Sequence, residues 1–383
     1  MKEDTVAVAA SINPSGVEAI KEITSKVKLT TKNKPVYLVL VFFTPDYNPY
    51  SIKETIDITL RPEKIFGIQS PMVICQDKVL KKGVVLCCLA SDNLSATDIF
   101  LEGGSCEEME SLLRKSLLSI KKGEKIVISV LGPQTNPHNY IRTAELSLGR
   151  NTKVFGAGFI KKYGAKNFQI NNTTVDEGTG NLLLSGPFTA VYEKTGGFLP
   201  LGGTFTITKV SPEKNVISEI DDKPAAHIYK KYLENKFDLF QRTSLVSFYP
   251  IGIKENNEYK LVNVIDFLGD DSLICLGDIK EGAEAKIMMA NSATMAESFR
   301  KFSRQIEKRR GWNMAIIINS VMRRNILKQE SEKEVKEIKR ILGEKTDVIG
   351  FYSDYNIFPG ENTGKFSIEN NHLCMVSLKY ETL

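Results

Sequence analysis

Three stretches of the chain share one order of hydrophobic and polar positions. The first opens with "VYLVLVFF" (36–43), apolar on both faces and so predicted as a strand covered on both sides. A helix is predicted over 51–60, with Ile52, Ile56 and Leu60 inward, a capping box of Ser51 and Glu54, and Pro62 as its stop. "KIFGIQS" follows, carrying Gly67, and then the apolar strand "GVVLCCLA". The second stretch has "KIVISVL" (125–131), a helix from about Pro137 with Ile141, Ala144 and Leu148 inward, "KVFGAGFI" with Gly156, and "PFTAVY". The third has "MAIIIN" (314–319), a helix opened by Ser331 and Glu334 and ended by Gly343, "DVIGFYSDYNI" with Gly350, and "HLCMVSLKY". From Val36 to Gly67, Ile126 to Gly156 and Met314 to Gly350 is 31, 30 and 36 residues. The recurring unit is strand, helix, strand with a glycine, strand.

Between the second and third stretches the pattern changes. "TFTITKV", "VISEI", "YKLVNVIDF", "SLICLGDI" and "AKIMMA" read as short strands of an antiparallel meander. A helix over 293–310 then turns Met295, Phe299, Phe302 and Ile306 inward. The expected fold class is α+β: two related lobes built from these units, with sheets stacked face to face and helices outside. The boundary falls in the glycine cluster "KTGGFLPLGG" (194–203), giving domains over 1–195 and 196–383.

Composition narrows the setting. With 42% hydrophobic and 25% charged residues, the 383-residue chain is globular and long enough for two domains. A net charge of +5 is far from that of a dedicated nucleic-acid binder. The longest apolar run is too short to span a bilayer, and the first residues lack the apolar core of a signal peptide. A cytoplasmic protein is expected, with neither membrane nor nucleic acid as partner.

Six cysteines show no metal or redox spacing, and Cys87, Cys88, Cys275 and Cys374 lie in apolar strands as small buried hydrophobes. Three histidines at unrelated spacings give neither a triad nor a zinc site. "GDD" (269–271) reads as a hairpin turn, and Arg300, Arg304 and Lys308 as a solvated helix face. "GAGFIKK" lacks the third glycine of a dinucleotide fingerprint. His227 lies beside Lys230 and Lys231 on a polar face, away from any haem-binding role. No cofactor and no metal are expected.

The phrases "IFGIQS" and "VIGFYS" resemble the two halves of the FIST sensory domain family. "LGGTFTITKVSPEKNVISEIDDKPAAHIYKKYL" (201–233) and "FYPIGIKENNEYKLVNVIDFLGDDSLICLGDIKEGAEAKI" (248–287) are similar to that family's C-terminal region, as are "IIINSVMRR" and "GFYSDYNIFP". The resemblance runs from about Lys34 onward. The chain departs from it at Ser320, where the family has Cys, at Tyr355-Asn356, where it has Gly-Glu, at "GIQS", and at Lys161 and Lys162.

The resemblance implies a small-molecule sensor for amino-acid-like or small organic-acid ligands. With no room for an output domain, signalling would pass through a separate partner protein. Turns at strand ends with a glycine suit close approach of a ligand. The candidate ligand-binding residues are Gly67, Gln69, Ser70, Gly156, Ser320, Arg323, Ser353, Asp354 and Asn356. Arg323 is the expected bidentate anchor of a ligand carboxylate, in a cleft between the Gly67 and Gly350 turns. A protein-interaction scaffold is the alternative; no F-box-like helices precede residue 34, which counts against one form of it. An enzyme ranks lowest, since no nucleophile–base pair is legible. No catalytic residue is assigned.

Overall fold

The computed structural model describes residues 5–380 apart from 92, 102–105, 121–122, 161–167, 172–173, 177, 212–214, 234–244, 256–257, 310 and 361–364. The first unit comprises β1 (Thr5–Ser11), α1 (Gly16–Thr31), β2 (Leu38–Phe43), α2 (Pro49–Thr59), β3 (Lys64–Gln69), the hairpin β4 (Val73–Cys75) and β5 (Lys78–Leu80), and β6 (Val84–Ala90). The second runs β7 (Ser95–Leu101), α3 (Cys106–Ser119), β8 (Glu124–Leu131), α4 (Pro137–Ser147), β9 (Thr152–Gly158), the hairpin β10 (Phe168–Ile170) and β11 (Thr174–Asp176), and β12 (Thr179–Gly186).

The third begins with β13 (Phe188–Thr195), before the glycine cluster. A separate β-structure then intervenes. It consists of β14 (Leu199–Ser211), β15 (Val216–Ile220), β16 (Lys223–Pro224), α5 (His227–Leu233), β17 (Ile251–Glu255), β18 (Glu258–Phe267), β19 (Leu273–Leu276) and β20 (Glu284–Met289). The unit resumes with α6 (Ser292–Glu307), β21 (Met314–Ser320), α7 (Val321–Leu327), α8 (Glu330–Leu342), β22 (Asp347–Ser353), the hairpin β23 (Tyr355–Pro359) and β24 (Phe366–Asn370), and β25 (Leu373–Tyr380).

Strand pairing answers why the glycine phrase recurs. The three sheets run β1-β6-β2-β3-β10-β11, β7-β12-β8-β9-β23-β24 and β13-β25-β21-β22-β4-β5. In each, the glycine strand is parallel to the first buried strand, and its other edge takes a hairpin that belongs to a different unit. The hairpins are passed round in a ring. The glycine always stands opposite an isoleucine of the incoming hairpin: Gly67 faces Ile170, Gly156 faces Ile357, and Gly350 faces Ile74. On its parallel neighbour it meets Val41, Ser129 and Ile317 respectively. A Cβ there would lie 2.5 Å from Val41 Cγ1, 2.5 Å from Ser129 O, or 2.1 Å from Ile317 O. Only glycine lets the strands approach this closely.

The inner faces of the three sheets share one core, with Phe42, Phe66, Ile128, Phe155, Ile316 and Phe351 among its side chains. Each outer face is covered by helices: α1 and α2 on the first sheet, α3 and α4 on the second, α6 and α8 on the third. Met295, Phe299, Phe302 and Ile306 are buried along α6, as its apolar period predicts. The expected α+β architecture of stacked sheets with outer helices is present.

The intervening strands form a fourth sheet, β14-β20-β17-β18-β19-β15-β16, which a β14–β15 pairing closes around its own apolar core. "GDD" is the β18–β19 turn, with Asp271 at φ 63°. The fourth sheet docks on the turn between β24 and β25. Asn263 and Asn371 exchange amide hydrogen bonds, and Asn370 Nδ2 donates to the carbonyls of Leu261 and Leu276.

Two helix starts differ from expectation. Asn48 caps α2, accepting from the amides of Tyr50 and Ser51, so Ser51 and Glu54 form no capping box. The cap of α8, Gln329, makes no side-chain capping hydrogen bond. Ser331 instead donates to the Lys328 carbonyl, and Glu334 is drawn to a buried arginine. No helix among the described residues is long and apolar enough to cross a membrane.

Candidate functional site

Most of the candidate residues at the ends of β3, β21 and β22 are buried and joined to one another. The Ser70 hydroxyl sits 2.8 Å from the carbonyl oxygens of both Met72 and Tyr352 and accepts from the Tyr352 amide. The Gly67 and Gly350 turns therefore meet directly through Ser70. Gln69 is buried beside Ser70. Ser353 donates to Asn356 Oδ1 at 2.7 Å, while Asn356 Nδ2 donates to the His372 carbonyl and reaches Cys374 Sγ. Asp354 accepts from the Ile160 amide, tying β22 to the end of β9. Ser320 caps α7 by accepting from the Met322 amide. Gly67 and Gly156 lie at hairpin-exchange points. Lys161 and Lys162 lie outside the described residues.

Arg323, the expected anchor, is already engaged by the protein itself. Its side chain is fully buried, and its guanidinium is closed on the protein's own groups. Nε and Nη2 donate to the two Glu334 oxygens at 3.0 and 2.5 Å, and Nη1 donates to the Gly196 carbonyl. Burial pushes the Glu334 carboxyl up, and the arginine opposes that shift. The fork expected to clamp a ligand clamps α8 instead.

Around it lies a network with no signal in the sequence. Lys194 Nζ is 2.5 Å from Glu369 Oε1, which also accepts from Ser367. His372 Nδ1 lies 2.7 Å from the Asn370 carbonyl and 3.6 Å from Glu369 Oε2. Nδ1 therefore carries the proton toward that carbonyl. Burial holds the His372 ring below its ordinary range, favouring the neutral form. Glu369 is also buried, but His372 and Lys194 bring its carboxyl below the usual range.

An open cleft lies elsewhere. A cleft of about 810 Å³ lies between the end of β1, one face of α1 and the hairpin that the first unit lends to the third sheet. Ser11, Asn13, Glu22 and Lys26 line one wall; Gln76, Asp77 and Lys78 line the other. The wall is built in advance. Ser11 Oγ donates to Glu22 Oε2 at 2.5 Å and Asn13 Nδ2 to Oε1 at 2.8 Å, which holds the carboxyl below its usual range. Asn13 is itself fixed by the Tyr47 hydroxyl on its carbonyl.

Lys26, one helical turn beyond Glu22, puts a cation beside that anion. The opposite wall is pinned at Gln76, which exchanges backbone and side-chain hydrogen bonds with Val348 and donates to Asp347. Cys75 borders the cleft, but burial pushes its thiol up to about 12, so it is protonated and unreactive at neutral pH. None of these cleft residues was among the candidates. Residues 11–26 precede the stretch where the family phrases begin, and single polar residues there carry no motif.

Among the described residues, no group of three histidine, cysteine or acidic side chains is placed to hold a metal ion. No curated protein matches the sequence. The crystal structure of a cyanuric acid hydrolase from A. caulinodans aligns with 99% of this chain and 100% of its own, at 8% identity and a TM-score of 0.38, a distant likeness. The FIST N domain matches residues 37–223 and the FIST C domain residues 225–359. Together these segments cover most of the three units and the fourth sheet, and the chain belongs to the FIST family, whose domains are sensory domains of signal transduction proteins.

Proposed function

We propose that the protein is a cytoplasmic sensor that binds a small, polar, amino-acid-like ligand in the cleft beside Glu22 and signals through a separate partner protein. One observation carries this reading: a carboxylate fixed by two hydrogen bonds stands one turn from a lysine on the same wall of an open cleft. A ligand ammonium matches Glu22, and a ligand carboxylate matches Lys26 or the exposed Lys78 across the cleft. The cysteines are free, in keeping with a reducing compartment. The buried thiols of Cys88 and Cys275 are pushed up to about 12, which favours a binding protein over a thiol enzyme.

A thermal-shift panel of amino acids and small organic acids tests the reading. A ligand at about 100 times its Kd adds roughly 2.7 kcal/mol to the folded state, a readily measured rise in Tm. Glu22→Gln should remove the response to amino acids, and Lys26→Glu combined with Lys78→Glu should weaken it through the loss of the carboxylate's partners in the cleft. If no compound raises Tm, the sensor reading gives way to a scaffold that binds protein alone.

A further inference from the structure

The second observation lies in the third unit, away from the cleft. Arg323 and Glu334 make a two-pronged contact with almost no solvent exposure, the geometry a guanidinium offers to any carboxylate. Beside it, at the C-terminal ends of parallel strands β21 and β22, lie Asn319 and Tyr352, both fully buried. Among the described residues, no well-formed hydrogen bond reaches either amide atom of Asn319 or the Tyr352 hydroxyl. The Tyr352 hydroxyl faces the side chains of Ser331 and Asn319 and feels the Glu334 charge, so these groups form one buried polar cluster. Buried polar groups of native proteins are nearly always satisfied, so this set has spare capacity beside the arginine.

The segment closing it is strained at one residue and uncapped at the next helix start. Lys328, at the end of α7, takes φ 53° without being glycine, and α8 starts without a side-chain cap. Glu334 lies on the first turns of that helix.

We propose that Arg323, Asn319 and Tyr352 form a carboxylate-binding site whose resident occupant is the Glu334 side chain, and that a small free carboxylate takes its place when the α7–α8 junction opens. The incoming carboxylate accepts the two Arg323 donors and meets the Asn319 amide and the Tyr352 hydroxyl, while Glu334 swings out with the first turn of α8. The site does not depend on the cleft, so either reading can fail alone.

The test is complementation in the full-length protein. Glu334→Gly removes the occupant back to Cα and leaves room for two carbons and a carboxylate, the size of propionate. Its Tm should fall and then rise saturably with sodium propionate, well above the effect of sodium chloride at equal ionic strength and above the response of the unaltered protein. Formate, too short to span the space, should do less. Arg323→Met combined with Glu334→Leu should abolish the propionate-specific gain. Glu334→Gln, which keeps the shape and loses the charge, serves if the glycine variant does not fold, and should also show a propionate-specific gain. Equal responses to propionate and chloride in the foldable Glu334 variants would overturn the proposal, as would an undiminished gain in the double variant.

Discussion

His372 shows how burial turns a single side chain into a pH dependence. Its ring gives its Nδ1 proton to the Asn370 carbonyl, and burial lowers its affinity for a second proton. The unfolded chain, with an ordinary histidine value of about 6.5, then binds that proton more readily than the folded chain. Its stabilising contribution is present above about pH 6.5 and is lost as pH falls through that value toward the lowered folded one. His372→Asn places an amide donor where Nδ1 stood and removes the titration. Urea midpoints measured from pH 7.5 to 5 should fall more steeply for the unaltered protein than for His372→Asn. Parallel curves would show that the ring is not the titrating group.

Two other residues mark the limit of sequence reading at this scale. Glu334 stands three residues after Ser331, the spacing of a capping box, and nothing local reveals that it belongs to Arg323, eleven residues earlier. For α2 the sequence holds a stronger signal: Asn48-Pro49 sets a side-chain cap directly before a proline suited to the first helical position.

At the level of elements, the triple phrase is legible because each glycine is forced by a close contact with the parallel strand of its own unit. Its destination is not. β4, β10 and β23 are three to five residues long, too short for periodicity to name a partner, and each pairs with a strand from another unit. Burial supplies the specificity. Ile74, Ile170 and Ile357 are each fully buried under the helix layer of the sheet they join. Ile74→Ala and Ile357→Ala should each cost about 2–5 kcal/mol, the range for emptying a core isoleucine position. Denaturant midpoints would give both values. A loss under about 1 kcal/mol would mean that the hairpin can detach while the sheet stays intact.

At the scale of the whole molecule, the ring of exchanged hairpins decides whether the parts can exist apart. A cut near Gly196, the boundary expected from the glycine cluster, leaves residues 1–195 with β9 lacking β23 at its edge. The same fragment keeps β4 and β5 without the third sheet, and β13 without β25. Its share of the central core loses Ile316, Ile318, Phe351 and Val376 from the opposing sheet, exposing apolar surface on both remaining sheets. Unpaired edges and exposed core act in the same direction, toward aggregation or a loosely packed state.

Fragments 1–195 and 196–383 should therefore each unfold without a cooperative transition and bind a hydrophobic dye. Mixed from denaturant, they should regain one cooperative transition. Its denaturant slope should approach that of the intact chain, because the slope follows the surface exposed on unfolding. A fragment 1–195 that unfolds cooperatively alone, with a slope fitting its length, would mean that the first two sheets close without the third. The ring would then be a late docking step rather than a condition of folding.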